Sequence, residues 1–150
     1  MFVKLGIGFL TMAACLVLHA LAILLVLRRF ARVGAGGSSA FFRDLGWLIL
    51  LSGGLVIAHL VEISLWAALY AWGHAMPDLR SALYFSAVTY TTVGYGDLVL
   101  PVEWRLVGGI EALTGILMCG GSTAFFFALV NQIFVRNVSA AASVPRQEGS

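Results

Sequence analysis

Three stretches of this chain are almost unbrokenly apolar: about Leu5 to Leu27, Leu45 to Trp72 and Leu106 to Phe134. At a helical rise of about 1.5 Å per residue, each is long enough to cross a hydrocarbon core of about 30 Å. A fourth segment, Leu79 to about Thr91, is about a dozen residues long, too short to span and suited to a re-entrant helix. Asp78 stands before it as an N-cap. Polar and small residues punctuate the pattern. Arg32 to Arg43 reads as a linker, with Gly34, Gly36, Gly37, Ser38 and Ser39 as its flexible residues. Gly73 to Pro77 reads as a short turn. The chain climbs from Asp97 through Pro101 to Trp104 and Arg105. Asn137 to Ser150 is polar and alanine-rich and is expected to be disordered.

Composition turns this pattern into a class. The chain is 61% hydrophobic and 11% charged, with a mean hydropathy of +0.97. Soluble domains carry about a quarter charged residues, so the expectation is an all-α membrane protein with three transmembrane helices and the short re-entrant one. Nine basic and seven acidic residues leave too little positive charge for a nucleic-acid surface. Cys15 and Cys119 fall inside apolar runs and read as small buried residues, without metal-ligand spacing. A secretory signal peptide carries its charge before the apolar core, whereas here Arg28, Arg29 and Arg32 follow it. Four of the nine basic residues lie between Arg28 and Arg43, opposed by Asp44 alone, which marks the cytoplasmic side. The expected topology is an external N-terminus and a cytoplasmic C-terminus, in a cell or inner membrane.

Within the spans, Trp47, Trp66 and Trp72 suit interfacial belts. Gly53, Gly54 and Ala58 offer a small-residue patch for close helix packing. His19 stands alone in the first span and is expected to make one hydrogen bond to a neighbouring helix. His59 and Glu62 are three apart on one face at membrane depth, where ionisable groups point into the protein. Glu111 lies about one and a half turns into the last span. It is expected to hydrogen-bond Ser86, Thr89 or Tyr90, or else His59 or Glu62, bracing the segment before it.

The chain's chemistry concentrates at Thr91-Thr92-Val93-Gly94-Tyr95-Gly96-Asp97. A cation leaving water needs oxygens in place of its hydration shell. Glycine reaches left-handed dihedrals that turn alternate carbonyls round, so Gly94 and Gly96 flanking Tyr95 let successive carbonyls face one way. The carbonyls of Thr92, Val93, Gly94 and Tyr95, with the Thr92 hydroxyl, then form a stack of hard oxygen ligands. Thr-Val-Gly-Tyr-Gly is the known sequence of potassium filters, and the stretch resembles the selectivity filter of the potassium channel family. The order spanning helix, re-entrant pore helix, filter, spanning helix is similar to that family's pore module over roughly Leu45 to Phe134. The whole resembles a small prokaryotic-type channel with one extra N-terminal helix.

That resemblance implies a division into an N-terminal helix with basic linker (1–44), a pore module (45–135) and a disordered tail (136–150). It implies K+ bound by Thr92, Val93, Gly94 and Tyr95, with Gly96 shaping the site. Tyr84 matches a pore-helix aromatic that bonds the aspartate after the filter, here Asp97, and Thr91 and Glu111 are further filter supports. Gly115 falls near the family's inner-helix hinge, with Gly120 and Gly121 competing for the role. Two positions depart from the pattern. Pro101 lies one residue further from the filter than is common, and Val88 stands where some members bury a carboxylate.

One filter per chain implies a homotetramer in the lipid bilayer. No run carries arginines at three-residue spacing, so no voltage sensor is expected. The implied function is passive, selective K+ conduction. The alternatives are a poorly selective cation channel or a non-conducting subunit of the same fold. A membrane-embedded enzyme is disfavoured, because no His-Glu-x-x-His or Gly-x-Ser-x-Gly frame accompanies His59, Glu62 or Glu111.

Overall fold

A computed structural model of the chain describes residues 2–31 and 40–142. Its helices are α1 (Phe2–Ala31), α2 (Ala40–Trp72), α3 (Leu79–Tyr90) and α4 (Arg105–Ala142), with a 3-10 turn at Val102–Trp104. Three helical segments are long and apolar enough to cross a membrane: Phe2–Arg29, Phe42–Trp72 and Val102–Ser139. This is an all-α membrane protein. The glycine and serine residues of the expected linker lie outside the described residues.

Two element boundaries differ from expectation. α2 begins at Ala40, so Arg43 belongs to a helix and not to a linker. α4 continues to Ala142, past the point where a disordered tail was expected. Its end is held: Arg136 Nη2 donates to Asp44 Oδ1 at 2.6 Å and Asn137 Nδ2 donates to Asp44 Oδ2 at 3.1 Å. Alanine is also the best helix former, so an alanine-rich end extends a helix readily.

α1 and α4 run the same way, and α2 runs against both. Gly8 faces Val107 and Ile110, and the Lys4 ammonium lies 3.6 Å from Glu103 and 4.7 Å from the Trp104 ring centre. At the opposite end, α2 meets α4 through Asp44. The packed face of α4 reads Val107, Glu111, Thr114, Met118, Ser122 and Leu129, the three-and-four spacing of one helical face. Cys119 falls off that stripe and is exposed, contrary to expectation, while Cys15 is buried. Gly53 and Gly54 have nothing within 4 Å of where a Cβ would stand. Among the described residues, these two glycines of the small-residue patch meet no other helix.

The apolar core is in two parts. One gathers Trp66, Tyr70, Trp104 and Val107, and the other Leu51, Leu55, Leu129 and Ile133. Between them lies a polar layer formed by His19, His59, Glu62 and Ser122, near mid-length of α1, α2 and α4. α3 packs between α2 and α4, and its last residue, Tyr90, reaches this layer.

Candidate functional site

The loop from Thr91 to Asp97 leaves the C-terminus of α3. At the other end of α3, Asp78 caps the helix, accepting from the Ser81 backbone N–H at 2.8 Å. That hydrogen bond holds its carboxyl below the usual range. α3 ends at Tyr90 because the chain folds back on it. The N–H of Thr91 bonds Ala87 O at 3.2 Å, that of Thr92 bonds Thr89 O at 2.9 Å, and that of Gly94 bonds Val88 O at 3.2 Å. Thr91 Oγ1 also donates to Ala87 O at 2.7 Å. The last carbonyls of the helix are thus met by the loop's own amides, which leaves the loop's carbonyls uncommitted.

Beyond Thr91 the backbone alternates. φ is +60° at Thr92, +55° at Gly94 and +75° at Gly96, whereas Val93 and Tyr95 keep the ordinary sign. Left-handed residues at every second position turn alternate peptides over, so successive carbonyls face one side. Gly94 and Gly96 adopt such dihedrals at little steric cost. Thr92 is the non-glycine member of the set, which glycine content alone does not reveal.

Tyr84 Oη donates to Asp97 Oδ2 at 2.6 Å, tying α3 to the end of the loop. The bond raises the tyrosine's pKa and lowers the aspartate's. Behind the loop is a cavity of about 210 Å³ lined by Tyr84, Val88, Thr89, Gly94 and Asp97 among others. Val88 contributes only apolar surface where a carboxylate was noted as missing. The front of the loop is open: Val93 is 53% and Tyr95 72% exposed.

Behind α3, Glu111 is fully buried. It accepts hydrogen bonds from Ser86 and, at 2.7 Å, from Tyr70 Oη. Ser86 was among its expected partners. Tyr70 was not, although it continues the three-and-four stripe of His59, Glu62 and Trp66 on α2, of which His59, Glu62 and Tyr70 meet α3. Among the described residues, Tyr90 donates to Glu62 and not to Glu111, and Thr89 makes no side-chain bond to it. His19 is not the solitary residue expected, since it contacts both Glu62 and Ser122.

Gly115 presses on the base of the site. A Cβ there would stand 1.8 Å from Tyr90 O, whereas Gly120 and Gly121 face open space. α4 is helical through all three. Gly115 is therefore required first by the close approach of α4 to the end of α3.

The sequence model of the ion channel family matches residues 48–132, more than half of the chain. The chain belongs to the ion channel family. The match takes in most of α2, all of α3, the 91–97 loop and most of α4, and leaves out α1. Searches of curated proteins and of solved structures return no match to this channel. Its three span-length helices and its family make it a multi-pass membrane protein in a lipid bilayer.

Proposed function

We propose that this channel conducts K+ passively and selectively through a filter formed by Thr92, Val93, Gly94, Tyr95 and Gly96. The observation that carries the reading is the alternation of left-handed φ at Thr92, Gly94 and Gly96. Such a backbone lines up carbonyl oxygens, and stacked carbonyls can replace the hydration shell of a potassium ion. The Tyr84–Asp97 bond supports the end of that stack.

The working assembly is a homotetramer. Irregular backbone exposed to lipid does not occur within the hydrocarbon region, yet the 91–97 loop is exposed along its length in one chain. Four copies around an axis cover it and provide complete oxygen rings. The arginines at 28, 29, 32 and 43 favour an external N-terminus and cytoplasmic C-terminus.

The test is reconstitution of the purified chain in liposomes loaded with potassium. The expected outcome is a potential set by the potassium gradient, with flux lost when sodium replaces potassium. Equal fluxes of the two ions would favour a poorly selective cation channel. No flux from well-inserted protein would favour a non-conducting subunit.

A further inference from the structure

Five side chains from four helices close a ring at the polar layer. His19 Nδ1 lies 2.9 Å from Glu62 Oε1. Tyr90 donates to Glu62 Oε2, and its oxygen is 3.0 Å from His59 Nδ1. Ser122 Oγ lies 3.1 Å from His59 Nε2 and 2.8 Å from His19 Nε2. The Glu62 side chain is fully buried and that of His59 is 19% exposed. His59 and Ser122 border a groove of about 320 Å³ between α2 and α4, which opens to the surface. Conduction through residues 92–96 makes no use of this ring.

We propose that His19, His59 and Glu62 bind a divalent transition metal of the zinc class, with the Tyr90 hydroxyl as a nearby fourth oxygen. One donor atom from each of the three residues lies within 4.8 Å of the others. Ligands at about 2.0–2.2 Å from a tetrahedral zinc stand about 3.4 Å apart. The His19 Nδ1–Glu62 Oε1 and His59 Nδ1–Glu62 Oε2 separations, 2.9 and 3.6 Å, bracket that value, with a different carboxylate oxygen facing each imidazole. Two imidazoles and a carboxylate are a donor set zinc takes, whereas magnesium and calcium favour oxygen alone.

The outer contacts fit the same reading. Metal-bound histidines hydrogen-bond through their second ring nitrogen. Here both Nε2 atoms meet the one hydroxyl of Ser122, whose two lone pairs accept two N–H donors. In that tautomer the His19 Nδ1 lone pair faces Glu62 Oε1 at 2.9 Å. That of His59 faces Tyr90 Oη at 3.0 Å and Glu62 Oε2 at 3.6 Å, a set of lone pairs that a cation among them would satisfy.

A proton is the rival occupant. The ring has five contacts, and each needs a hydrogen. Two neutral imidazoles, Tyr90 and Ser122 bring four, so without a metal the ring closes when Glu62 or a histidine carries a fifth. Metal or proton, the occupant links α1 to Tyr90, the residue from which the 91–97 loop departs.

Cobalt(II) distinguishes the two occupants, because its visible absorption reports tetrahedral coordination. The full chain, purified in detergent and stripped with a chelator, is titrated with Co2+. The expected result is one Co2+ per chain, displaced by Zn2+ but not by excess Mg2+. His19→Gln and Glu62→Gln each weaken binding by about a hundredfold or more. Ser122→Ala weakens it by about 10–100-fold, as loss of an outer-contact partner does. His74→Gln, outside the ring, leaves binding unchanged. Circular dichroism checks the fold of each variant, and Ser122→Ala, which removes no charge, carries the test if Glu62→Gln misfolds. No stoichiometric Co2+ below about 0.1 mM, or wild-type affinity in both His19→Gln and Ser122→Ala, overturns the proposal and leaves the proton-held ring.

Discussion

The ring around Glu62 and the loop from Thr91 to Asp97 meet at Tyr90, yet they satisfy their polar groups in opposite ways. In the ring, Glu62 is wholly buried and both its oxygens have partners within the chain. In the loop, amides return to α3 while the side chains of Val93 and Tyr95 stand open. A buried polar group without a partner costs several kcal/mol in hydrocarbon, on the order of 2–7. The ring avoids that cost with residues of one chain. On the proposed reading, the loop avoids it with ions and further copies. Substitutions in the packed interior should therefore act on the stability of each chain, and those in the loop on conduction.

Gly96→Ala should have the largest effect. At φ +75° a Cβ costs on the order of 1–2 kcal/mol, although the space around it is open. In the proposed tetramer the strain recurs in every copy. Selective potassium flux in liposomes should be abolished while the helical content and assembly size persist. Unchanged potassium-over-sodium reversal potentials would sink the filter assignment. Loss of the fold itself would erase the contrast between loop and interior.

Gly115→Ala should act the other way. Its Cβ would meet Tyr90 O at 1.8 Å, and backbone cannot swing aside as a side chain can. Overpacking of this kind costs about 1–3 kcal/mol. Gly120→Ala and Gly121→Ala meet nothing within 4 Å among the described residues and should gain up to about 1 kcal/mol of helix propensity. Thermal unfolding in detergent reads the difference directly. Equal midpoints for Gly115→Ala and Gly120→Ala would mean that α4 does not crowd α3 at this point.

The same contrast separates what the sequence makes legible from what it hides. Span lengths, the Asp78 cap and the glycine pair at 94 and 96 are local features, and each can be read from a few neighbouring residues. The ring is not local. His19 and Ser122 meet across 103 positions, and α1 is apolar nearly all round, so periodicity does not say which face is buried. Tyr70 was overlooked because its partner Glu111 lies 41 positions away on another helix. The end of α4 was misjudged because Ser139 to Ala142 was weighed by polarity and not by alanine's helix propensity. Left-handed Thr92 has no composition signal, since threonine seldom adopts that conformation.

The smallest effect belongs to Tyr84→Phe, which probes the side-chain bond that ties the far end of the loop, Asp97, to α3. Tyr84 holds the Asp97 carboxyl below its ordinary value of 3.8 by donating to the ionised form. A carboxyl depressed in the folded state stabilises that state above its unfolded pKa, and the contribution is lost as pH falls through the folded value. Asp97 is solvent-exposed, so screening keeps the effect modest. The phenylalanine variant should lose the donor, and the Asp97 titration should move up toward 3.8. Infrared titration of the carboxyl stretch, with Asp97→Asn as the blank, measures that shift. At neutral pH the variant should hold potassium flux slightly less steadily than the wild type. Once pH has fallen through the folded Asp97 value the two should converge, because the acceptor is then protonated in both. Coincident titrations in wild type and variant would show that the hydroxyl does not support the loop, and the end of the proposed carbonyl stack would then depend on the neighbouring copies of the proposed assembly alone.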